Sequence, residues 1–270
     1  MEQQETLLFT IEKNIAHVKF NRPEKANAIN DLGWKEIRSV FEEIDSNEEI
    51  RVVVLSGEGK HFCSGIDLTL LFSVTNSEER DEARKRENLR KLILNLQASV
   101  SSVENCSKPV LAAISGGCIG AGVDLISACD MRYASEDAFF TIKEIDMGMV
   151  ADLGTLQRLP RLIPEGIMRE LAFTGRNVSG TEAEKIGLVN QCFDHRENLM
   201  KSVFEIAATI AAKSPISIRG TKHILNYSRD HSIADGLNYM ATWNAAMLLS
   251  EDLNEAFQAQ LQKKEAFFRN

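Results

Sequence analysis

Apolar and polar residues alternate with period two through LLFTIEKNIAHVKFNRP, most clearly at Ala16, Val18 and Phe20, which predicts two strands around a turn at Glu12 to Asn14. Two other runs are apolar without alternation. VVVL at 52–55 and VLAAI at 110–114 read as strands buried on both faces. Each leads into a glycine-bearing loop, CSGIDL at 63–68 and GGCIGAG at 116–122, and the second loop runs into an apolar helix. Strand, loop and helix in that order give an α/β class built from ββα units or from a parallel sheet covered by helices. The period lengthens to that of a helix at Leu89, Leu92, Leu96 and Val100, inside TNSEERDEARKRENLRKLILNLQASVSSV, whose charged half reads as a solvated face. Near the end, Leu253, Phe257, Leu261 and Phe268 predict one amphipathic helix that packs on its own body or on a neighbouring subunit. No repeat or Pro/Gly-rich linker intervenes, so the chain reads as a core over 1–201 and a helical region over 202–270.

Composition narrows the classes. At 270 residues, with 44% apolar and 26% charged positions, the chain can bury a substantial core and matches an ordered globular protein. The net charge of −8 argues against a nucleic-acid groove, which needs clustered Lys and Arg. Arg22, Lys25, Lys263 and Lys264 remain as local basic spots for a small anionic ligand, with solvated surface as the alternative. Five scattered cysteines suit reduced, buried thiols, and no apolar run approaches the roughly eighteen residues of a membrane span. Neither end carries a legible targeting signal.

The candidate chemistry lies in the loops and the acids near them. Glycines let a ligand approach backbone amides closely, so two such loops side by side could aim two N–H groups at one oxygen. The second loop fits neither a dinucleotide fingerprint nor a Walker A loop, and no zinc-protease or C-x-x-C spacing occurs. Ser64 and Ser115 lie outside any G-x-S-x-G elbow. Three carboxylates stand out: Asp124 in GVDLISAC, Glu144 in FFTIKEIDMGM and Asp152 in VADLGTLQRL. Each also has a purely structural reading: a helix-dipole partner for Asp124, a solvent edge for Glu144 and an N-cap for Asp152. Together, in apolar surroundings that raise their pKa values, they suit proton transfer beside a carbonyl that becomes an enolate.

HFCSGIDL, then GGCIGAGVDLISACDMRYASEDAFFTIKEIDMGM, then GTLQRLPRLI, resemble the crotonase (enoyl-CoA hydratase/isomerase) superfamily, and the similarity runs from the first hairpin to the C-terminal helices. The resemblance implies a spiral of ββα units with a C-terminal helical trimerisation region, assembled as a homotrimer or homohexamer. It implies an acyl-CoA thioester substrate, no cofactor beyond the CoA that the substrate carries, no metal, and neither nucleic acid nor membrane as partner. Motif positions assign the oxyanion hole to the N–H groups of Ile66 and Ala121, and substrate contacts to Ser64, Gly65, Ile66, Asp67, Leu68 and Ala121. Many relatives have Gly at the place of Ala121, and a backbone donor survives that change.

The set Asp124, Glu144 and Asp152, with SGIDL, KEIDMGMVADLGTLQRLP and YSRDHSIADGLNYMATWN, resembles the dienoyl-CoA isomerase branch of that superfamily. Hydratases carry Glu at the positions of Asp124 and Glu144, and typically Gly at that of Asp152. The implied reaction moves the double bonds of a 3,5-dienoyl thioester into 2,4-conjugation, with Glu144 as base at C2, Asp152 as acid at C6 and Asp124 in support. Which acid attends which carbon stays open, as do a 2-enoyl-CoA hydratase and a non-catalytic RNA-binding scaffold. The implied compartment is a peroxisome or mitochondrion.

Overall fold

A computed structural model describes residues 5–75 and 79–270; residues 1–4, and 76–78 in the charge run, lie outside the described residues. The alternating stretch forms β1 (Leu7–Glu12) and β2 (Ile15–Phe20), antiparallel, with Lys13 and Asn14 at positive φ closing the turn. α1 (Asp31–Ser46) follows, its N-cap Asn30 accepting from the Gly33 N–H. β3 (Val52–Gly57) then leads to α2 (Leu68–Thr75) and α3 (Glu82–Asn105). The next units are β4 (Val110–Ile114), β5 (Gly117–Ile119) and α4 (Ala121–Ala128), and β6 (Met131–Ser135), β7 (Phe139–Thr141), α5 (Thr155–Arg158) and α6 (Glu165–Thr174). β8 (Val178–Ser179), α7 (Gly180–Lys185) and β9 (Gln191–Phe193) complete the strands. Four helices end the chain: α8 (Arg196–Ala211), α9 (Pro215–Arg229), α10 (Ile233–Met247) and α11 (Glu251–Gln262).

Successive turns of chain supply two sheets. The larger runs β1-β2-β3-β4-β6-β9, parallel after the first hairpin; the smaller runs β5-β7-β8. After β4 and β6 the chain adds a short strand to the small sheet, and after β3 it makes a single bridge there, Cys63 to Cys118. Residues 117–119, expected as glycine loop, are thus strand, because Gly117 and Ile119 pair with Phe139 and Thr141 on one side and bond Cys63 on the other.

Burial on both faces accounts for the unbroken apolar runs. Val53, Leu55, Val110, Ala112 and Ile114 face one core with Ala16, Val18 and Phe20, while Val52, Val54, Leu111 and Ala113 face a second core under α8. The inner stripe of α8, Leu199, Val203, Ala207 and Ala211, belongs to that second core, so the expected boundary at residue 202 falls inside a core helix. On α3 the predicted stripe deepens along the helix, from Leu89 at 40% exposure to Val100 at 0%.

The last helix stops earlier than its spacing predicts. Lys263 takes a left-handed conformation (φ 53°) and caps α11, so Phe268 lies beyond the helix. The tail returns to the start of β3, where Arg51 donates to the Phe268 carbonyl and to Asn270 Oδ1, each at 2.6 Å. α10, α11 and their flanks leave Ile233, Leu237, Leu249, Leu261 and Phe267 facing outward. No helix among the described residues is long and apolar enough to cross a membrane.

Candidate active site

The two glycine loops meet. Asn27, buried and at positive φ, donates to the carbonyls of Glu58 and His61 and accepts from the Arg22 N–H, which pins the first loop from behind. Along that loop the N–H groups are assigned in turn: Cys63 to Gly117 O, Ser64 to Ala26 O, Gly65 to Cys63 Sγ and Asp67 to Ile29 O. The Ile66 N–H donates to none of the described residues. Across from it, the Gly120 N–H bonds Thr141 O, and the next N–H, that of Ala121 at the start of α4, is likewise uncommitted. Gly65 (φ 101°) brings the loops together, since a side chain there would start 3.6 Å from Ala121 N and 3.0 Å from Ile119 O. A partly buried pair of free donors on adjoining rigid loops is what an oxyanion requires.

The three carboxylates converge behind these donors. Gly120 (φ 52°) takes a conformation that favours glycine, and a Cβ there would lie 3.1 Å from Glu144 Oε1, a tight contact. Glu144 opens a short 3₁₀ turn after β7, and its Oε2 is buried without a hydrogen-bond partner. Burial, reinforced by the nearby charges of Asp124 and Asp152, pushes its pKa up to about 7. Asp124, only 1% exposed on α4, accepts the Thr155 N–H at 2.7 Å. Its pKa rises to about 6 because burial outweighs that hydrogen bond. Asp152 is exposed on the segment before α5, and desolvation raises its pKa as well.

The N-cap expected of Asp152 goes elsewhere. Gly154 (φ 131°) occupies the cap of α5 with no side-chain bond, and Asp124 satisfies the helix's first N–H from α4 instead. Ser64 is half-buried, Leu68 is 54% exposed at the start of α2, and Asp67 accepts from Thr69 and from Arg22 Nη1 at 3.0 Å. Arg22 is therefore committed to holding the first loop, while Lys25, Lys263 and Lys264 are exposed. No group of three or more His, Cys, Asp or Glu side chains suited to a metal ion occurs among the described residues.

Two supports escaped the sequence reading. Gln97 on α3 donates to the Asp152 carbonyl at 2.6 Å, and the half-buried pair Arg158–Glu104, at 2.8 Å, braces the same turn through Leu153 O. Arg158 fills the space that a side chain at Gly154 would need. These partners lie some fifty residues apart in sequence, and only the RLP context after Gly154 marked the arginine as part of a motif.

Similar proteins share this arrangement of elements from end to end. The chain is 48% identical, over 99% of its length and 98% of the relative's, to the peroxisomal Δ(3,5)-Δ(2,4)-dienoyl-CoA isomerase of Arabidopsis thaliana. It is 46% identical to the mitochondrial Δ(3,5)-Δ(2,4)-dienoyl-CoA isomerase of Mus musculus, over 94% of this chain and 78% of that protein. Its structure superposes on the crystal structure of an enoyl-CoA hydratase from Bacillus anthracis with a TM-score of 0.89, at 29% identity and covering 98% and 99% of the two chains. With the Enoyl-CoA hydratase/isomerase model matching residues 10–270, paired loops and acids included, the chain belongs to the enoyl-CoA hydratase/isomerase family.

Proposed function

We propose that this protein is a Δ3,5-Δ2,4-dienoyl-CoA isomerase that transposes two conjugating double bonds by proton transfer between fixed carboxylates. The observation that carries the reading is the pair Glu144 and Asp152: the first reaches Gly120, the residue before the free Ala121 N–H, and keeps a buried oxygen without a partner, and the second is exposed on the next segment, with a charge that helps raise the pKa of Glu144. The Arabidopsis and mouse relatives, both named as this isomerase, support it.

The thioester oxygen accepts from Ile66 and Ala121, which stabilises the dienolate as charge develops. Glu144, ionised, takes a proton from C2. Electrons shift from the C2–H bond to form C2=C3, from C3=C4 to form C4=C5, and from C5=C6 to a new C6–H bond whose proton comes from Asp152. The shift is redox-neutral, so the reading needs no cofactor beyond the CoA of the substrate. Asp124 anchors Thr155 and thereby the Asp152 segment. Assignment of the two carbons rests on Glu144 lying next to the oxyanion donors, where C2, bonded to the thioester carbon, must also lie.

The same reading places the protein in unsaturated fatty-acid breakdown in a peroxisome or mitochondrion, the compartments named for the plant and mouse relatives. It also makes the protein a homotrimer or homohexamer, supported by the outward-facing Ile233 (83% exposed) and Leu249 (91%) on the C-terminal helices. The test adds a 3,5-dienoyl-CoA to purified protein and follows the ultraviolet band of the conjugated 2,4-product, with hydration of a 2-enoyl-CoA in parallel. Conjugation without hydration is the expected result; hydration alone would make the protein a hydratase, and silence in both would remove the enzymatic reading.

A further inference from the structure

Proton balance in the two-carboxylate cycle leaves a debt at the end of each turnover. The C2–H bond breaks with its proton on Glu144, and the C6–H bond forms with the proton of Asp152, so the acids finish in exchanged states. Before the next substrate reacts, Glu144 must lose a proton and Asp152 must regain one. One internal route from Glu144 to Asp152 runs through Asp124, which interacts electrostatically with each of them. Asp124 is ill-suited to that relay, since it is 1% exposed and its Oδ1 is held by the Thr155 N–H.

Asp152 has another outlet. It forms part of the wall of a cavity of about 450 Å³ that Glu144, Ile66 and Ala121 do not line. Around Asp152 the wall is polar: Gln97, Ser101 and Glu104 from α3, Ser127 from α4 and Gln157 from α5. At roughly 30 Å³ of liquid volume per water, such a space holds on the order of ten waters with polar partners. Its cations are all ion-paired, Arg158 and Arg229 sharing Glu104, and Arg161 with Asp230 at 3.1 Å.

We infer that this cavity is the route by which solvent reprotonates Asp152, while Glu144 discharges its proton separately on the substrate side. Asp152 thus separates two compartments, giving its proton to C6 on one side and taking a new one from the polar cavity on the other. This inference rests on the two-carboxylate reading above.

The experiment has two parts. In the first, 3,5-dienoyl-CoA carrying deuterium at C2 is turned over many times in ordinary water, and the product's deuterium positions are read by NMR and mass spectrometry. No deuterium at C6 is expected; its appearance there would mean internal return and overturn the route. In the second, Gln157→Trp fills the cavity from an exposed position on α5. Steady-state kcat should fall about tenfold while the first turnover, followed with enzyme in excess, keeps its wild-type rate, the signature of a slowed reset rather than slowed chemistry. An unchanged kcat in a folded Gln157→Trp would also overturn the route. If that variant fails to fold, Ser101→Leu narrows the same space from α3, and the label result on the unmodified enzyme still decides. Absence of any first-turnover 2,4-product from the unmodified enzyme would instead sink the isomerase reading itself.

Discussion

The first turn of α4 and the segment from 144 to 152 both carry carboxylates whose pKa values burial raises, yet they use them differently. Asp124 is sealed in the core and spends an oxygen on the Thr155 N–H. Glu144 keeps a buried oxygen without a partner, and Asp152 keeps its side chain exposed. What separates the two regions is anchoring and exposure: Asp124 is buried and held by the Thr155 N–H, whereas Asp152 is exposed and Glu144 Oε2 has no partner.

The sharpest way to break this contrast is to neutralise each acid in turn. Glu144→Gln and Asp152→Asn should each lower kcat by about 10²- to 10⁴-fold, the usual worth of a general base or acid, while binding of the acyl-CoA product changes little in titration calorimetry. Wild-type turnover in either variant would remove that acid from the scheme. The unmodified enzyme should show a bell-shaped pH profile whose rising limb lies near pH 7, because Glu144 must be ionised to act as base and its pKa is about 7. That limb should vanish in Glu144→Gln, and a profile flat between pH 6 and 8 would contradict the role of Glu144.

A smaller effect is expected from Gln97→Leu, which removes the 2.6 Å bond to the Asp152 carbonyl without touching a carboxylate. Stability should drop by about 1 kcal/mol in chemical denaturation, and a displaced Asp152 should lower kcat by up to about 10²-fold with KM nearly constant. Equal loss of kcat and affinity would show instead that the whole pocket had shifted.

Asp124→Asn should disturb turnover least, under about tenfold, and should reveal its structural role in the pH dependence of stability. The Asp124 pKa rises from 3.8 to about 6 on folding, so its contribution is complete below the unfolded value and is lost as pH climbs through about 6. At pH 8 the ionised, buried carboxylate costs about 3 kcal/mol relative to acid conditions. Asn keeps an acceptor for the Thr155 N–H and escapes that cost. The variant's advantage in melting temperature should therefore grow between pH 4 and pH 7, and a pH-independent difference would refute the assignment.

Much of this was legible in the chain, where the deciding physics is local. Alternation at Ala16, Val18 and Phe20 marked the first hairpin, and doubly buried runs marked β3 and β4, because burial pattern is written directly into residue type. Local spacing failed at α11, where Leu253, Phe257 and Leu261 continued in period to Phe268 although the helix stops at the left-handed Lys263. It failed again at 117–119, whose glycines concealed a strand of the small sheet.

By itself, then, the sequence determined the strands, the two glycine loops, the three acids and the family they resemble, since each lies within a short window of chain. The tertiary structure alone decided which N–H groups stay free, that Asp124 rather than Asp152 satisfies α5, that Gln97 and Arg158 brace the Asp152 turn, and that a polar cavity opens behind it. Hydrogen-bond partnership and solvent access depend on segments tens of residues apart meeting in space, and no local pattern of residues encodes that meeting.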